Sequence, residues 1–226
     1  MFKIKKIKAF TLAEVLVVIG IIGTVAAITL PNLNNSVDEQ TNVAKAKKVY
    51  TDLAMAWDKV MLKDPVIFNH MGSSLTISTV VSKLNNNLKT KGQSTAYVPS
   101  IVSSSNTCKN NATMLADGST YCVSLKGLNS AGVSYYQIVI DIDGPNKGVN
   151  KLGYDIFYSS VRAINGSLNP STLEPVYETG KATVGEMIES GKAPTIEQSL
   201  LWIMTYSNMD YLNCNTVKWV TNTTCR

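Results

Sequence analysis

The strongest pattern in the sequence is an apolar segment at residues 10–31 that contains one charged residue, Glu14. A helix over this segment, rising about 1.5 Å per residue, is long enough to cross the roughly 30 Å hydrocarbon core of a bilayer. The pattern therefore predicts a membrane-spanning helix. Basic residues ahead of it favour a cytoplasmic N-terminal end and export of everything after the segment. They are Lys3, Lys5, Lys6 and Lys8.

Beyond Pro31 the sequence turns polar, and a helical pattern then resumes with an apolar stripe. Its members recur at spacings of three and four: Ala46, Val49, Tyr50, Leu53, Trp57, Val60 and Met61. This periodicity is typical of an amphipathic helix with one buried face. We predict one helix from about Leu12 to Leu62, bent at Pro31, whose second half packs on a soluble domain. Asp64-Pro65 ends it.

The rest of the chain predicts short elements around a sheet. A helix is predicted from the stripe Ile77, Val80, Val81, Leu84 and Leu88. Strands are predicted at Tyr121–Leu125, Tyr135–Ile142 and Tyr154–Tyr158, which are rich in aromatic and β-branched residues. The polar composition from Gln93 to Thr120 predicts surface loops. The fold class is therefore α+β: a long kinked N-terminal helix packed on a small antiparallel β-sheet domain.

Two predictions concern the C-terminal third. Thr183-Val-Gly-Glu186 has the spacing of a capping box for a short helix that ends at Gly191. Leu200–Tyr206 is an apolar run that fits either a buried strand or a helix capped by Thr195 and Gln198. We favour the strand.

The net charge of +5 comes mostly from the N-terminal lysines. Without those four residues the 21 basic residues fall to 17, against 16 acidic ones. The basic balance therefore indicates topology, and no nucleic-acid surface is indicated.

A secretory signal peptide is the alternative for the N-terminus. Its apolar region, however, is about 7–15 residues long and uncharged. Residues 10–31 are longer and contain Glu14. A carboxylate in an apolar span is costly unless it has a partner, so Glu14 requires one.

The sequence Lys8-Ala9-Phe10-Thr11-Leu12-Ala13-Glu14-Val15-Leu16, followed by the apolar run and Pro31, resembles the N-terminal signature of type IV pilins and type II secretion pseudopilins. The resemblance implies cleavage between Ala9 and Phe10 by a prepilin peptidase, which also methylates the new N-terminus at Phe10. Glu14 corresponds to the glutamate of the signature, and Pro31 to its helix-kinking proline. Ala9 departs from the signature, which usually has glycine there.

The resemblance also implies an organisation and partners. Residues 1–9 are a leader that is removed, residues 10–31 a transmembrane and polymerisation helix, and residues 32–226 an exported domain that starts with the amphipathic half of the helix, 32–62. Glu14 would neutralise either its own N-terminus or that of an adjacent subunit. We favour the adjacent subunit, because a buried polar pair fixes register. The implied partners are the peptidase, copies of the chain or other pilin-like subunits, and an inner-membrane assembly platform.

Four cysteines, an even number, fit an exported domain in an oxidising compartment. They allow three connectivities. We favour Cys108–Cys122 with Cys214–Cys225, since local loops close most easily. A C-terminal disulfide loop is also what a type IV pilin would have.

One loop has oxygen-rich chemistry that resembles a calcium site. Its candidate ligands are Asp141, Asp143, Asn146, Asn150 and Asp155. It is not an EF-hand, because Pro145 and Leu152 stand at ligand positions. We favour a hairpin connection, in which Asp, Asn and Gly serve turn geometry, over calcium, which some major pseudopilins require.

Catalytic constellations are otherwise missing from the sequence. His70 is the single histidine, which leaves a multi-histidine metal site or a histidine-bearing triad without a second member. We therefore predict a structural, pilin-like subunit that uses no cofactor. The alternative is a membrane-anchored periplasmic binding module or enzyme with a pilin-like N-terminus.

Overall fold

The computed structural model describes residues 10–63, 77–94, 112–126, 134–145, 147–163, 173–175 and 184–225, with the side chains of residues 30–36 outside the description. Helix α1 runs from Leu12 to Lys63. The predicted amphipathic stripe is confirmed in its second half, where apolar side chains at helical spacing enter the core. They are Val43, Ala46, Val49, Leu53, Ala56, Trp57, Val60 and Met61. The bend at Pro31 stays a prediction.

The sheet has six antiparallel strands whose spatial order equals their sequence order. They are β1 (Thr90–Ser94), β2 (Ala112–Leu115), β3 (Thr120–Lys126), β4 (Ser134–Asp141), β5 (Ile156–Ala163) and β6 (Leu173–Glu174). The predicted strands correspond to β3, β4 and β5. The bounds of β3 and β4 lie close to the prediction, whereas β5 begins two residues after the predicted start at Tyr154 and ends five residues after the predicted end at Tyr158. The fold class is α+β, with the apolar N-terminal helix followed by this sheet.

Alternation along the central strands gives the sheet two buried faces. On one face Val123 of β3 and Ile138 of β4 pack in the same cluster as Leu53 and Trp57 of α1. On the other face Cys122 and Val139, which are paired across β3 and β4, belong to a smaller cluster. The larger cluster is the main core of the sheet domain, and it joins the amphipathic half of α1 to the sheet.

Helices complete the fold around this core. Helix α2 (Ile77–Asn85) buries Val80, Val81 and Leu84, which confirms its predicted stripe. Helix α3 (Val184–Glu189) is short, and 3-10 turns lie at Ile196–Gln198 and Asp210–Leu212.

The strand favoured for Leu200–Tyr206 is wrong, because Ser199–Tyr206 forms helix α4. Leu200 and Ile203 lie in the main core, while Leu201 and Trp202 lie in a third cluster with Trp219. Two different clusters therefore bury two sides of the helix. Burial on both sides removes the amphipathic period that would have identified it.

The loop assignment for Gln93 to Thr120 is wrong in part. Strand β2 occupies Ala112–Leu115, and Ala112, Thr113 and Leu115 are buried. Four residues are too few to show a clear alternation among polar neighbours.

The chain divides into two compact units, Met1–Gln40 and Thr41–Arg226. The second unit contains the sheet and all three hydrophobic clusters. The proposed boundary after residue 31 stays a prediction.

Candidate functional site

The N-terminal end of α1 is the first candidate site. Phe10 and Thr11 precede the helix, and Phe10 is 85% exposed. The first intrahelical hydrogen bond runs from Val15 N to the Thr11 carbonyl oxygen over 3.2 Å, so Thr11 is the N-cap. Ala9 lies outside the described residues. The predicted cleavage would therefore make Phe10 the new N-terminal residue, and Phe10 lies just before the helix without being helical itself.

Glu14 contacts Thr11 in a reciprocal arrangement. Glu14 Oε2 accepts hydrogen bonds from Thr11 N at 2.9 Å and from Thr11 Oγ1 at 2.8 Å. Glu14 N in turn donates to Thr11 Oγ1 over 3.2 Å. This is a capping box, in which the N-cap and the third helical residue satisfy each other's backbone groups. This capping box was not among the sequence predictions, although Thr-x-x-Glu ahead of an apolar run is its usual signature.

The first half of α1 exposes a continuous apolar surface. Leu12–Thr29 has a mean hydropathy of 2.3, and none of its residues is buried within the chain. It is the one described helix long and apolar enough to cross a membrane, as judged by length and composition. Exposed apolar area on this scale requires another covering, which lipid or further helices would supply.

The acidic loop is the second candidate site, and it connects strands β4 and β5 as the hairpin interpretation predicts. Its organising residue is Asp155, which is 1% exposed. The Asp155 carboxylate accepts the backbone N–H groups of Val149, Asn150 and Lys151, the first two over 2.8 and 2.7 Å. Three such bonds fold the loop around one carboxylate.

Asp141 lies at the other end of the loop and is also buried. Its Oδ1 accepts the Gly144 N–H over 2.8 Å, while Oδ2 has no hydrogen-bond partner among the described residues. Asp143 Oδ1 and Asn150 Oδ1 are likewise buried and without a partner there. Burial, together with the neighbouring Asp143 carboxyl, raises the pKa of Asp141 to about 7.

Among the described residues of the loop, these three buried side-chain oxygens have no donor when both carboxylates are ionised, whereas a protonated Asp141 can share its proton with Asp143. Asn146 lies outside the described residues. Across the described ranges, no group of three or more His, Cys, Asp or Glu side chains is arranged to hold a metal. His70 also lies outside these ranges.

Comparison with known proteins identifies the N-terminus. Residues 4–30 match the family model of the prokaryotic N-terminal methylation motif. The chain carries the N-terminal signature of type IV pilins and pseudopilins. This motif is that of structural, pilin-like proteins processed by prepilin peptidase, and with the apolar helix it fits membrane anchoring. No curated protein and no solved structure matches the chain.

The C-terminal segment of the chain is held at several points. Cys214 and Cys225, whose Cα atoms are 5.9 Å apart, are joined in the structure. Cys108 lies outside the described residues, so its pairing with Cys122 stays a prediction. Trp202 packs against Trp219 with ring centroids 5.0 Å apart.

The C-terminal segment also contacts the acidic loop. The Tyr211 hydroxyl donates to the Gly153 carbonyl oxygen over 2.5 Å. Nothing in the sequence indicated this contact, because the two residues are 58 positions apart.

Proposed function

We propose that this chain is a pilin-like structural subunit that is assembled through its N-terminal helix into a type IV pilus or a type II secretion pseudopilus. Prepilin peptidase cuts between Ala9 and Phe10 and methylates Phe10. The observation that carries the proposal is the methylation motif on a helix whose described apolar residues are not buried. The chain is a substrate of enzymes and has no enzymatic activity of its own.

The exposed apolar surface of α1 would be covered by lipid before assembly and by other subunits after it. Before assembly, lipid covers the segment, with the N-terminus in the cytoplasm and the C-terminal domain exported across the bacterial inner membrane. After assembly, equivalent helices of other subunits cover it, in a filament in the periplasm or at the cell surface. The assembly platform of the inner membrane moves the subunit from one to the other. Nucleic acid takes no part.

Glu14 supplies the polar element of this helix packing. Cleavage leaves a positively charged amine on Phe10 in an apolar setting, and a carboxylate is its natural partner. A pair formed between neighbouring subunits fixes their axial register, because a shift would leave both charges unpaired.

Mass spectrometry of the mature N-terminus tests the proposal. We expect a chain that begins at methylated Phe10. An uncut chain, or one cut after the apolar run, would refute the pilin-like function and favour a membrane-anchored binding module or enzyme.

The role of Glu14 is tested by Glu14→Ala, with Asp38→Ala as the control because Asp38 is an exposed carboxylate later in the same helix. We expect Glu14→Ala to be processed but largely missing from sheared filaments, and Asp38→Ala to assemble. Wild-type assembly of Glu14→Ala would remove the register role.

The acidic loop supports a second, narrower proposal, that it takes up a calcium ion. When Asp141 and Asp143 are both ionised, no described group donates to the buried oxygens Asp141 Oδ2, Asp143 Oδ1 and Asn150 Oδ1. Carboxylate and amide oxygens are the ligands that calcium prefers. Asp155 has a different task, since backbone N–H groups already occupy its carboxylate.

Calorimetric titration of the chain with calcium chloride tests this proposal. We expect binding heat and a raised melting temperature, with neither in Asp141→Asn, and a weaker response to magnesium. Absence of both heat and melting shift in the wild type would refute it.

A further inference from the structure

A groove on the sheet domain lies between α1, the connection from α2 to β1, and the turn from β2 to β3. It has a volume of about 560 Å³, which is within the range of about 300–1,000 Å³ typical of ligand sites. Its α1 wall runs from Lys48 to Lys59, which is about 17 Å of helix at about 1.5 Å per residue. The groove is therefore long enough for about five residues of extended peptide.

The floor of the groove is apolar. Ala56 and Leu115 line it and are themselves buried. Met55 also lines it, and 49% of its surface is exposed. Methionine is flexible and polarisable, so it adapts to apolar groups of different shape. The floor therefore favours a ligand that has an apolar part.

The three walls of the groove are joined to one another by hydrogen bonds and ion pairs. The Ala116 N–H donates to the Lys89 carbonyl oxygen over 2.8 Å, which ties the β2–β3 turn to the α2–β1 connection. The Lys48 ammonium group donates to Asp117 Oδ2, which ties α1 to the same turn, and it lies 3.4 Å from Asp52 Oδ2. Because these contacts hold the walls in place, the groove is preformed, as most ligand sites are.

The charged side chains that line the groove leave it with an excess of positive charge. Three lysines and two carboxylates line it, and the two carboxylates, Asp52 and Asp117, share Lys48. Lys59 and Lys89 are exposed, and neither forms an ion pair with any residue that the structure describes. Two lysines beside an apolar floor are complementary to a ligand that carries carboxylates next to an aliphatic group.

We propose that this groove binds a short, extended, acidic peptide segment of another protein. Acidic side chains of the peptide pair with Lys59 and Lys89, and an aliphatic side chain between them packs on the apolar floor beside Met55. The length of the groove and the exposure of its rim suit an extended chain that enters from the side. Binding requires neither cleavage before Phe10 nor filament assembly, so this site adds an interaction to the function proposed above.

Fluorescence anisotropy measures the binding with the full chain in detergent micelles and with empty micelles as the blank. The probe is a fluorescein-labelled pentapeptide of alternating glutamate and leucine that begins and ends with glutamate. Two exposed ion pairs together correspond to about a tenfold change in affinity. We therefore expect the probe to bind about tenfold more tightly than the same peptide with glutamine in place of glutamate. A peptide with serine in place of leucine should also bind more weakly, because it leaves the floor uncovered.

Substitutions in the chain locate the binding. Lys59→Gln combined with Lys89→Gln should weaken binding of the probe by about tenfold. The matched control is Lys45→Gln combined with Lys63→Gln, which makes the same change of charge at exposed positions of α1 outside the groove and should bind as the wild type does. In NMR spectra of the chain with labelled methionine methyl groups, the Met55 signal should shift as the probe is added. That signal is identified by its loss in Met55→Leu.

Equal binding of the glutamate and glutamine peptides would overturn the proposal, and so would equal losses in the two double-lysine variants. If sodium phosphate shifts the Met55 signal as the probe does and displaces the probe at the same concentration, the groove takes an anion only and the peptide proposal is wrong. If the signal shifts with protein concentration alone, a second copy of the chain occupies the groove, which would also overturn it.

Discussion

Replacing Asp141 with asparagine tests what it costs to ionise a buried carboxyl beside Asp143. The pKa of Asp141 is raised from 3.8 to about 7 in the folded chain, chiefly by burial. Between these two values the folded state binds more protons than the unfolded state, so the free energy of unfolding falls as the pH rises through this window. At about 1.4 kcal/mol per pKa unit, the largest loss is about 4 kcal/mol, complete above pH 7.

Asp141→Asn removes the charge but keeps an oxygen that accepts the Gly144 N–H. We expect it to match the wild type near pH 4 and to exceed it by up to about 4 kcal/mol at pH 8 in the presence of EDTA. Urea unfolding followed by tryptophan fluorescence measures this, because Trp57, Trp202 and Trp219 are all buried. Asp58→Asn, at an exposed position of α1, is the control.

A wild-type slope that persists unchanged in Asp141→Asn would refute the reasoning, because the slope would then belong to other groups. Calcium is expected to act in the opposite direction, since it favours the ionised carboxylates. Wild-type stability at pH 8 should therefore recover when calcium replaces EDTA.

Two further tests, one of packing and one of a hydrogen bond, use the same urea assay. Gly148→Ala and Gly191→Ala both place a side chain at positive φ, +64° and +60°, but only at Gly148 would the new Cβ meet the Asp143 and Asp155 carboxylates. We expect Gly148→Ala to be destabilised by about 1–3 kcal/mol more than Gly191→Ala, and equal losses would contradict the crowding. Tyr50→Phe removes a 2.6 Å hydrogen bond to the Leu173 carbonyl oxygen and should cost about 1 kcal/mol. An unchanged urea midpoint would show that water replaces this bond.

Sequence patterns predicted the long helix and the central strands because their signals are local. The stripe containing Leu53 and Trp57 repeats over about four turns of helix. Strands β3 and β4 are runs of β-branched and aromatic residues with turn residues between them. Helix α4 was assigned wrongly because two clusters bury it. Its position depends on partners such as Trp219, which are distant in sequence.

The residues of the two candidate sites were also predicted only in part from the sequence. The joint spacing of Phe10 and Glu14 within an apolar run was enough to find the N-terminal signature. The buried oxygens of the acidic loop that lack a donor were not predictable. Their positions depend on how the loop folds, and the loop folds around the backbone N–H groups that donate to Asp155. The contact between Glu14 and Thr11 was predictable, because Thr-x-x-Glu at the start of a helix is the signature of a capping box.

The order of the strands bears on how the domain forms under the proposed export across the membrane. Each strand from β1 to β6 pairs only with its neighbours in sequence, and the buried face of α1 precedes them all. Such local topology allows rapid folding, because no strand has to wait for a distant partner. Under that proposal the N-terminal half of the chain emerges first, and one strand at a time can be added to a helix already present. Folding would then keep pace with translocation, and few unpaired strand edges would be exposed to aggregation.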